Sequence, residues 1–543
     1  MDVSWNDLQR WTPAGLEESY DLVLSAQQET EAAGDQLLSA KTNFSGQGQA
    51  ALAFRGIVDR YRAHADGLEA RLTELQIVLN QAAEAVEQLA IEVDSTQAAI
   101  DAVRYLVDAA DRVQLPDWLI EQFAQAKKQR GTGATLLDLE EGIALQRRDE
   151  LQVAVDTLLE QAKSVLRELA SGLLRVRDGE ISDAAQVLAD SNGSDAAPQE
   201  IIDAFGQASA AQVRAMWDSL DFNTQRTLRI NFPEIIGNLS GIPLLVRQKA
   251  NDSNMNAYLE REEAARSSEE IQTRINELTA KENEGNLGRK ERAELADLRD
   301  EAQRRQAVRD MLDGDGAVVF DPSNYRVVAI EGDITSAPEH LITVVPGTGT
   351  WMGSFADGGV RDLPRDLVAG FQDPDRSAVA FVVKDGPWAS WVGENSNMLH
   401  SAMERMGTTV ANVDVDLRVE DFDGDPKETA IAHSAGMSIT SAAEVQGAHY
   451  DEVISIAGSY MVSDWVADQT TEYTHIQYEA DAINLVDRSD WHTTPNESAV
   501  FDKVILDSGG RDGFDGHNRI SQGKDSNPDG YWAILDEILE EGR

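Results

Sequence analysis

Apolar residues recur at alternating steps of four and three along two stretches of the N-terminal half. The first stretch carries Leu68, Leu72, Leu75, Leu79, Ala82, Val86, Leu89 and Val93 and continues through Ile100, Val103 and Val107. The second stretch carries Leu151, Val155, Leu158, Ala162, Val165, Leu169 and Val176. This spacing keeps apolar side chains on one helix face and favours left-handed supercoiling. Residues 1–188 are therefore predicted to form an elongated antiparallel helical bundle, with an oligomeric coiled coil as the alternative.

Short polar or glycine-containing segments divide these stretches into helices. Breaks are expected at Asn43-Phe44-Ser45-Gly46, at Leu115-Pro116-Asp117 and at Gly131-Thr132-Gly133. Pro13 suits the start of the helix before the first break.

Two further segments separate the bundle from the C-terminal part. Residues 189–257 begin with a linker-like sequence up to residue 200 and then form a junction. Residues 258–313 are rich in charged residues and are interrupted at 284–288, so a protruding helical hairpin is predicted. This hairpin is either a cover over a site or a spacer.

From Gly314 onward the hydrophobic pattern changes to short β-rich runs separated by helical stretches. Such alternation predicts a mainly parallel sheet in a C-terminal α/β domain, residues 314–543. The candidate strands are Ala317 to Phe320, Tyr325 to Glu331, Leu341 to Val345, Ala378 to Val383, Thr429 to Ala432, Glu452 to Ile456, Tyr473 to Tyr478 and Lys503 to Leu506.

A candidate nucleophile lies after the fifth of these strands, in Ala432-His433-Ser434-Ala435-Gly436. A serine flanked two residues away on each side by Ala or Gly fits a sharp strand-to-helix turn, because larger side chains would collide there. The turn exposes the hydroxyl near a helix N-terminus, where negative charge is favoured. The alternative is an ordinary polar turn. His433 is interpreted as structural, because adjacent side chains diverge.

The amides expected to stabilise an oxyanion come from two loops. Ala435 supplies the amide that follows the nucleophile. The third strand runs directly into Pro346-Gly347-Thr348-Gly349-Thr350, whose glycines permit close backbone approach. We place the second amide at Thr348, with Gly349 as the alternative.

The remaining members of a catalytic triad are expected in the order acid, then histidine. Asp481 follows the seventh strand and is the predicted orienting carboxylate, with Glu479 and Asp487 as alternatives. His517 follows the last strand and is the predicted base. His492 competes for this role but comes too soon after Asp481.

Composition narrows the classes of partner and site. The 47 Lys and Arg residues against 96 Asp and Glu give a net charge of −49, which argues against nucleic acid as a partner. The absence of Cys excludes disulfides and thiol chemistry.

Residues 421–425 are acidic but lack the complete calcium-loop pattern, so a solvated turn is favoured. No metal or cofactor is predicted. We find neither a membrane span nor a cleaved signal peptide in the sequence.

Two helices joined by an aromatic-x-Gly turn resemble the Trp-x-Gly family of small helical hairpins exported by type VII secretion. Phe44-Ser45-Gly46 lies at the corresponding turn, with Phe in place of Trp. The resemblance implies a secreted or surface protein, exported without a signal peptide, and a small helical protein as partner. Tyr258 to Glu262 fits the export pattern Tyr-x-x-x-Asp/Glu but lies far downstream. A cytoplasmic location is the alternative.

A second resemblance covers the junction. The series Trp217, Leu220, Pro233, Ile236-Gly237, Gly241-Ile242-Pro243, Arg247 and Asn251 is similar to the segment before the catalytic domain in a family of actinobacterial α/β-hydrolases with helical heads. The lipase-like pentapeptide around Ser434 extends the resemblance over most of the chain.

Together these features predict a helical targeting module joined to a serine hydrolase. The expected reaction is hydrolysis of a carboxylic ester, with a lipid as one substrate class and a peptide or amide less favoured. The main alternative is a secreted or surface interaction protein with an inactive hydrolase fold. A type VII toxin whose hydrolase attacks the membranes of competitors is a second alternative.

Overall fold

A computed structural model describes the two compact units of the chain. Residues 1–225 with 468–470 form one unit, and residues 226–467 with 471–543 form the other. The division falls inside the predicted junction, 189–257. The described residues are 3–44, 49–129, 136–179, 181, 198–206, 208–335, 337–371, 377–420, 422, 426–485, 493–509 and 513–539.

The first unit is almost entirely helical, as predicted for the N-terminal region. Its only sheet within the described residues is a short antiparallel hairpin of Leu106–Val107 with Val113–Gln114. Its helices are α1 (Trp5–Leu8), α2 (Ala14–Asn43), α3 (Gln49–Ala102), α4 (Asp117–Gln129), α5 (Leu136–Asp178), α6 (Pro198–Phe205) and α7 (Ala210–Asp218).

Helix α3 ends earlier than the heptad spacing predicts. Arg104 adopts a positive φ of 58°, and the amide of Tyr105 donates to the Ile100 carbonyl at 3.0 Å. This left-handed residue stops the helix at Ala102, so Val107 lies in the hairpin instead. Residues 45–48, which include the predicted turn residues Ser45 and Gly46, lie outside the described part of the chain.

Heptad positions from α3 and α5 contribute to the core of this unit. Val93 and Val155 are fully buried and pack with Trp5 of α1. The Trp5 indole nitrogen donates to Gln97 at 2.8 Å, so burying this ring leaves no donor unpaired. Helices α2 and α3 are joined by a buried hydrogen bond from Gln76 to Gln27 at 2.8 Å.

The helices that precede the sheet extend further toward the N-terminus than the predicted hairpin. They are α8 (Phe222–Asn231), α9 (Pro233–Ile236), α10 (Leu244–Ala265), α11 (Ser268–Asn283) and α12 (Arg289–Asp313). The hairpin of α11 and α12 begins where Ser267 caps the Glu270 amide in a capping box. It has its own small core, which includes Leu278 and Leu295.

The part of the junction that belongs to the second unit, residues 226–257, makes buried polar contacts with the sheet and its helices. The Arg247 guanidinium donates to the Val318 carbonyl at 3.0 Å and pairs with Asp416 at 2.5 Å. Asn251 donates to the carbonyls of Gly237 and Ala317. Arg247 and Asn251 therefore pack as part of the second unit.

A mainly parallel sheet of eight strands forms the centre of the second unit, and this confirms the predicted α/β region. The strand order is β8-β7-β6-β5-β3-β4-β2-β1, with β2 antiparallel to both of its neighbours. The strands are β1 (Ala317–Asp321), β2 (Arg326–Glu331), β3 (His340–Val345), β4 (Ala378–Asp385), β5 (Lys427–His433), β6 (Glu452–Ile456), β7 (Glu472–Tyr478) and β8 (Asp502–Leu506).

Helices cover both faces of the sheet, which explains why its inner strands are mostly apolar and lack a regular polar alternation. Every residue of β4 is buried, for example. One face packs on α14 (His400–Val419) and α15 (Ala435–Val445). The other face packs on α10, α12, α13 (Asp362–Gly370) and α17 (Pro528–Leu539). No helix in the described residues has the length and apolar character to cross a membrane.

Candidate active site

Ser434 occupies a strained turn between β5 and α15. Its backbone has φ 54° and ψ −120°, a conformation that L-residues rarely adopt. Two hydrogen bonds hold it there: the Ser434 amide donates to the Ile456 carbonyl at 3.2 Å, and the Ser459 amide donates to the Ser434 carbonyl at 2.9 Å. Neighbouring loops therefore enforce the turn predicted from the pentapeptide.

The small residues near Ser434 permit close backbone approach. A Cβ atom on Gly436 would lie 2.1 Å from the Val345 carbonyl oxygen, so the start of α15 could not pass the end of β3 with any larger residue. Gly347 lies close to the serine itself, since a Cβ atom on Gly347 would lie 3.0 Å from the Ser434 Cβ. The oxyanion loop predicted after β3 thus lies beside the candidate nucleophile.

Ser434, His517 and Asp481 form one continuous hydrogen-bonded chain. His517 Nε2 lies 2.9 Å from Ser434 Oγ, and His517 Nδ1 lies 2.8 Å from Asp481 Oδ1. A carboxylate can only accept, so Nδ1 carries the proton and Nε2 is free to accept from the serine hydroxyl. The three predicted residues therefore lie together in the structure, although Ser434 and His517 are 83 positions apart in the sequence.

The loop that carries the acid is joined to the loop that carries the histidine. Asp481 Oδ1 also accepts from the Ile483 amide at 2.8 Å. The Gly513 amide donates to the Ala480 carbonyl at 2.7 Å, and Gly513 has a positive φ of 67° that suits glycine. The helix α16 (Phe514–Arg519), which presents His517, begins directly after this contact.

Of the alternatives for the acid and the base, Glu479 lies in the described residues and does not enter this chain. Glu479 is exposed, and its amide donates to the Leu506 carbonyl. Asp487 and His492 lie outside the described residues.

His433 contacts the backbone of His517, the candidate base. Its Nε2 donates to the His517 carbonyl at 3.0 Å, and the two imidazole rings lie 5.1 Å apart. Burial, together with repulsion from His517, lowers the pKa of His433 from its ordinary value of 6.5 to about 4. His433 is therefore neutral near pH 7, which agrees with the structural role expected from the sequence.

Two backbone amides are expected to stabilise the oxyanion. The Ala435 amide is the first of α15, and the first amides of a helix have no carbonyl acceptor within the helix. In the oxyanion loop the Gly349 amide already donates to the Ala389 carbonyl at 2.7 Å. The Thr348 amide has no hydrogen-bond partner among the described residues. Thr348 therefore remains the better candidate, and Gly349 is occupied elsewhere.

Several residues around the oxyanion loop were not singled out from the sequence. The Thr350 hydroxyl donates to the Gly347 carbonyl at 2.9 Å, and the Asn397 amide group donates to the Thr348 hydroxyl at 2.9 Å. Asn397 lies 49 residues from Thr348, and no motif links the two positions. Only the three-dimensional contact reveals the pair.

No group of three metal-binding side chains occurs within the part of the chain that the structure describes. Of the acidic stretch 421–425, only Phe422 belongs to that part.

Comparison of the chain with protein families, with curated proteins and with solved structures finds no match. The chemistry of the site is therefore argued from its own geometry.

Proposed function

We propose that the second unit is an α/β-hydrolase and that the protein is a serine ester hydrolase. The strand order supports this fold, because β3 lies between β4 and β5 and only β2 opposes its neighbours. The chain order supports it as well. The serine follows β5, the acid follows β7 and the histidine follows β8, which is the arrangement associated with a nucleophile elbow.

The observation that carries the proposal is the chain from Asp481 through His517 to a serine with strained backbone. Isolated Ser-His contacts are common in proteins. Here, however, the serine adopts a costly conformation at a helix N-terminus, and the histidine is oriented by a carboxylate with 3% exposure. A purely structural hydrogen bond would need neither feature.

In the proposed acylation step, Ser434 Oγ attacks the carbonyl carbon of an ester while His517 Nε2 accepts the hydroxyl proton. Asp481 stabilises the resulting imidazolium, and the Thr348 and Ala435 amides stabilise the tetrahedral oxyanion. The intermediate then expels the alkoxide, which takes the proton from His517. In the second half of the reaction, water attacks the acyl carbon while His517 takes its proton. The bond to Ser434 Oγ then breaks, Oγ takes the proton back from His517 and the carboxylic acid leaves. The lipase-like pentapeptide favours a carboxylesterase or lipase over a peptidase.

Labelling with a fluorophosphonate tests the proposed chemistry directly. The Ser434 oxygen would form a bond to phosphorus, fluoride would leave and His517 would take the proton. We expect wild type to label and to hydrolyse a panel of p-nitrophenyl esters of varied chain length. Ser434→Ala and His517→Ala should do neither, while Ser401→Ala, at an exposed helix position, serves as the matched control.

Asp481→Asn provides a second, graded test. Asn cannot orient and stabilise the imidazolium in the same way, so kcat should fall by about 10⁴-fold while the fold persists. A folded wild type that resists the probe and leaves all the esters intact would refute the enzyme and favour an interaction protein with an inactive hydrolase fold.

We further propose that the helical unit directs the enzyme to export through type VII secretion and binds a small helical protein. The sequence resemblance at Phe44 and the paired helices α2 and α3 support this role. Comparing culture medium from actinobacterial hosts with and without a functional type VII system tests it. Equal amounts of protein in both media would refute this export route.

A further inference from the structure

The direction of the Thr348 amide is not fixed by steric restriction of the backbone. That N–H belongs to the Gly347–Thr348 peptide, and glycines flank Thr348 on both sides. Gly349 has a positive φ of 85°, and glycine backbones rotate more freely than those of other residues. Any fixed direction of the amide must therefore come from contacts made by the loop.

One such contact acts on the peptide itself. The Thr350 hydroxyl donates to the Gly347 carbonyl oxygen at 2.9 Å. In a planar trans peptide the C=O and the N–H point in opposite directions. Holding the Gly347 carbonyl therefore also holds the Thr348 N–H, and rotation of this peptide would break the Thr350 bond.

A second contact fixes the Thr348 residue from the other side. The Asn397 side-chain amide donates to Thr348 Oγ1 at 2.9 Å. The Asn397 backbone is anchored in turn, because its N–H donates to Ser390 and its carbonyl accepts from the Tyr460 hydroxyl, both at 2.8 Å. Burial raises the pKa of Tyr460 to about 12, so this hydroxyl retains its proton over the working range of pH.

We propose that Thr350 and Asn397 are positioning residues that aim the Thr348 amide at the oxyanion formed on Ser434. The inference rests on the proposed hydrolase function and extends it to two residues outside the triad. Neither side chain needs to touch the substrate. Each acts through Thr348, so its loss should weaken stabilisation of the transition state more than binding of the ester.

Five single variants separate this role from general support of the loop: two tests, two controls and the rescue variant Thr350→Ser. Thr350→Val removes the hydroxyl at almost constant volume, and Asn397→Ala removes the amide donor. Thr409→Val is the matched control for the first, because the Thr409 hydroxyl also donates to a backbone carbonyl, that of Met406. Asn395→Ala is the control for the second, since it lies on the same loop as Asn397.

We expect Thr350→Val and Asn397→Ala each to lower kcat by about tenfold, less than follows the complete loss of an oxyanion donor. KM should stay within about twofold, and the rate of fluorophosphonate labelling should fall in parallel with kcat. Thr350→Ser, which restores the hydroxyl, should recover most of the loss. Both control variants should retain wild-type kcat at the same thermal midpoint.

The outcomes distinguish failure of this inference from failure of the enzyme proposal. Active wild type together with unchanged kcat in Thr350→Val and Asn397→Ala would overturn the positioning role alone. A kcat loss that the controls share, that appears as a rise in KM, or that Thr350→Ser does not recover would also overturn it. An inert wild type would overturn the hydrolase proposal and this inference with it.

Discussion

Replacement of His433 by Gln tests how protonation of the His433 side chain, beside the candidate site, affects the stability of the protein. His433 donates from Nε2 to the His517 carbonyl, and a Gln side chain offers an N–H of similar reach that does not titrate. The variant should therefore keep the contact to the base while removing the pH dependence of position 433. If the free energies of unfolding of the two proteins diverge as the pH falls, the change reports the protonation of His433.

The sign follows from proton binding in the two states. The folded pKa of His433 is about 4 and its ordinary value is 6.5, so between these values the unfolded chain binds a proton that the folded protein does not. Stability contributed by the neutral ring is complete above pH 6.5 and is lost as the pH falls toward 4. A tenfold change in proton affinity is worth about 1.4 kcal/mol, so the largest loss of folding free energy from this shift is about 3 kcal/mol. Because the residue is only half-buried by its overall exposure, we expect about 2 kcal/mol.

The assay is urea unfolding of wild type and His433→Gln at steps between pH 7.5 and 4, monitored by tryptophan fluorescence. Comparing the two proteins at each pH cancels the titration of the other carboxylates and histidines. The stability of wild type relative to the variant should fall by about 2 kcal/mol across this range. A free-energy difference that stays constant with pH would refute the neutral state assigned to folded His433.

Two predictions concern packing near the sheet. Arg247→Met removes the ion-pair partner of the buried Asp416 carboxylate and should destabilise the protein by about 3–5 kcal/mol in denaturant unfolding. Arg274→Met, at an exposed ion pair, should cost far less, and similar losses in both variants would contradict this reasoning. Gly436→Ala places a Cβ against the Val345 carbonyl oxygen and should displace the turn that carries Ser434. The rate of fluorophosphonate labelling should therefore fall at least about tenfold. Labelling at the wild-type rate would show that the turn relaxes freely.

The strands of the second unit were predictable because each is a short apolar run. All eight predicted strands begin and end within two residues of those in the structure. Strands buried on both faces lack polar alternation, and their flanking turns and helices set their bounds. The end of α3 was not predictable in the same way, since it depends on the positive φ of Arg104, and Arg carries no sequence signal for that conformation.

The candidate triad was readable because fold order restricts where each residue can lie. A serine between small residues gives a local steric signal, and the acid and histidine then follow after known strands. The sequence favours Asp481 but leaves Glu479 open, because both follow β7. In the structure, Asp481 is buried and Glu479 is exposed. The contact of Asn397 with Thr348 left no sequence signal at all, since a polar side chain on an irregular loop has no periodicity to reveal its partner.

The strain at Ser434 links the fold to the proposed chemistry. A residue in such a backbone conformation costs on the order of 1–3 kcal/mol and persists only where its surroundings enforce it. Here the Ser459 amide and the Ile456 carbonyl engage both ends of the residue, and both come from β6 and the loop that follows it. The oxyanion loop depends on a different neighbour, the loop after β4. The two supporting loops are nevertheless joined, because the Tyr460 hydroxyl in the loop after β6 donates to the Asn397 carbonyl in the loop after β4 at 2.8 Å. Substitutions in the two loops should therefore have non-additive effects on the proposed catalysis, which the corresponding double variant would show.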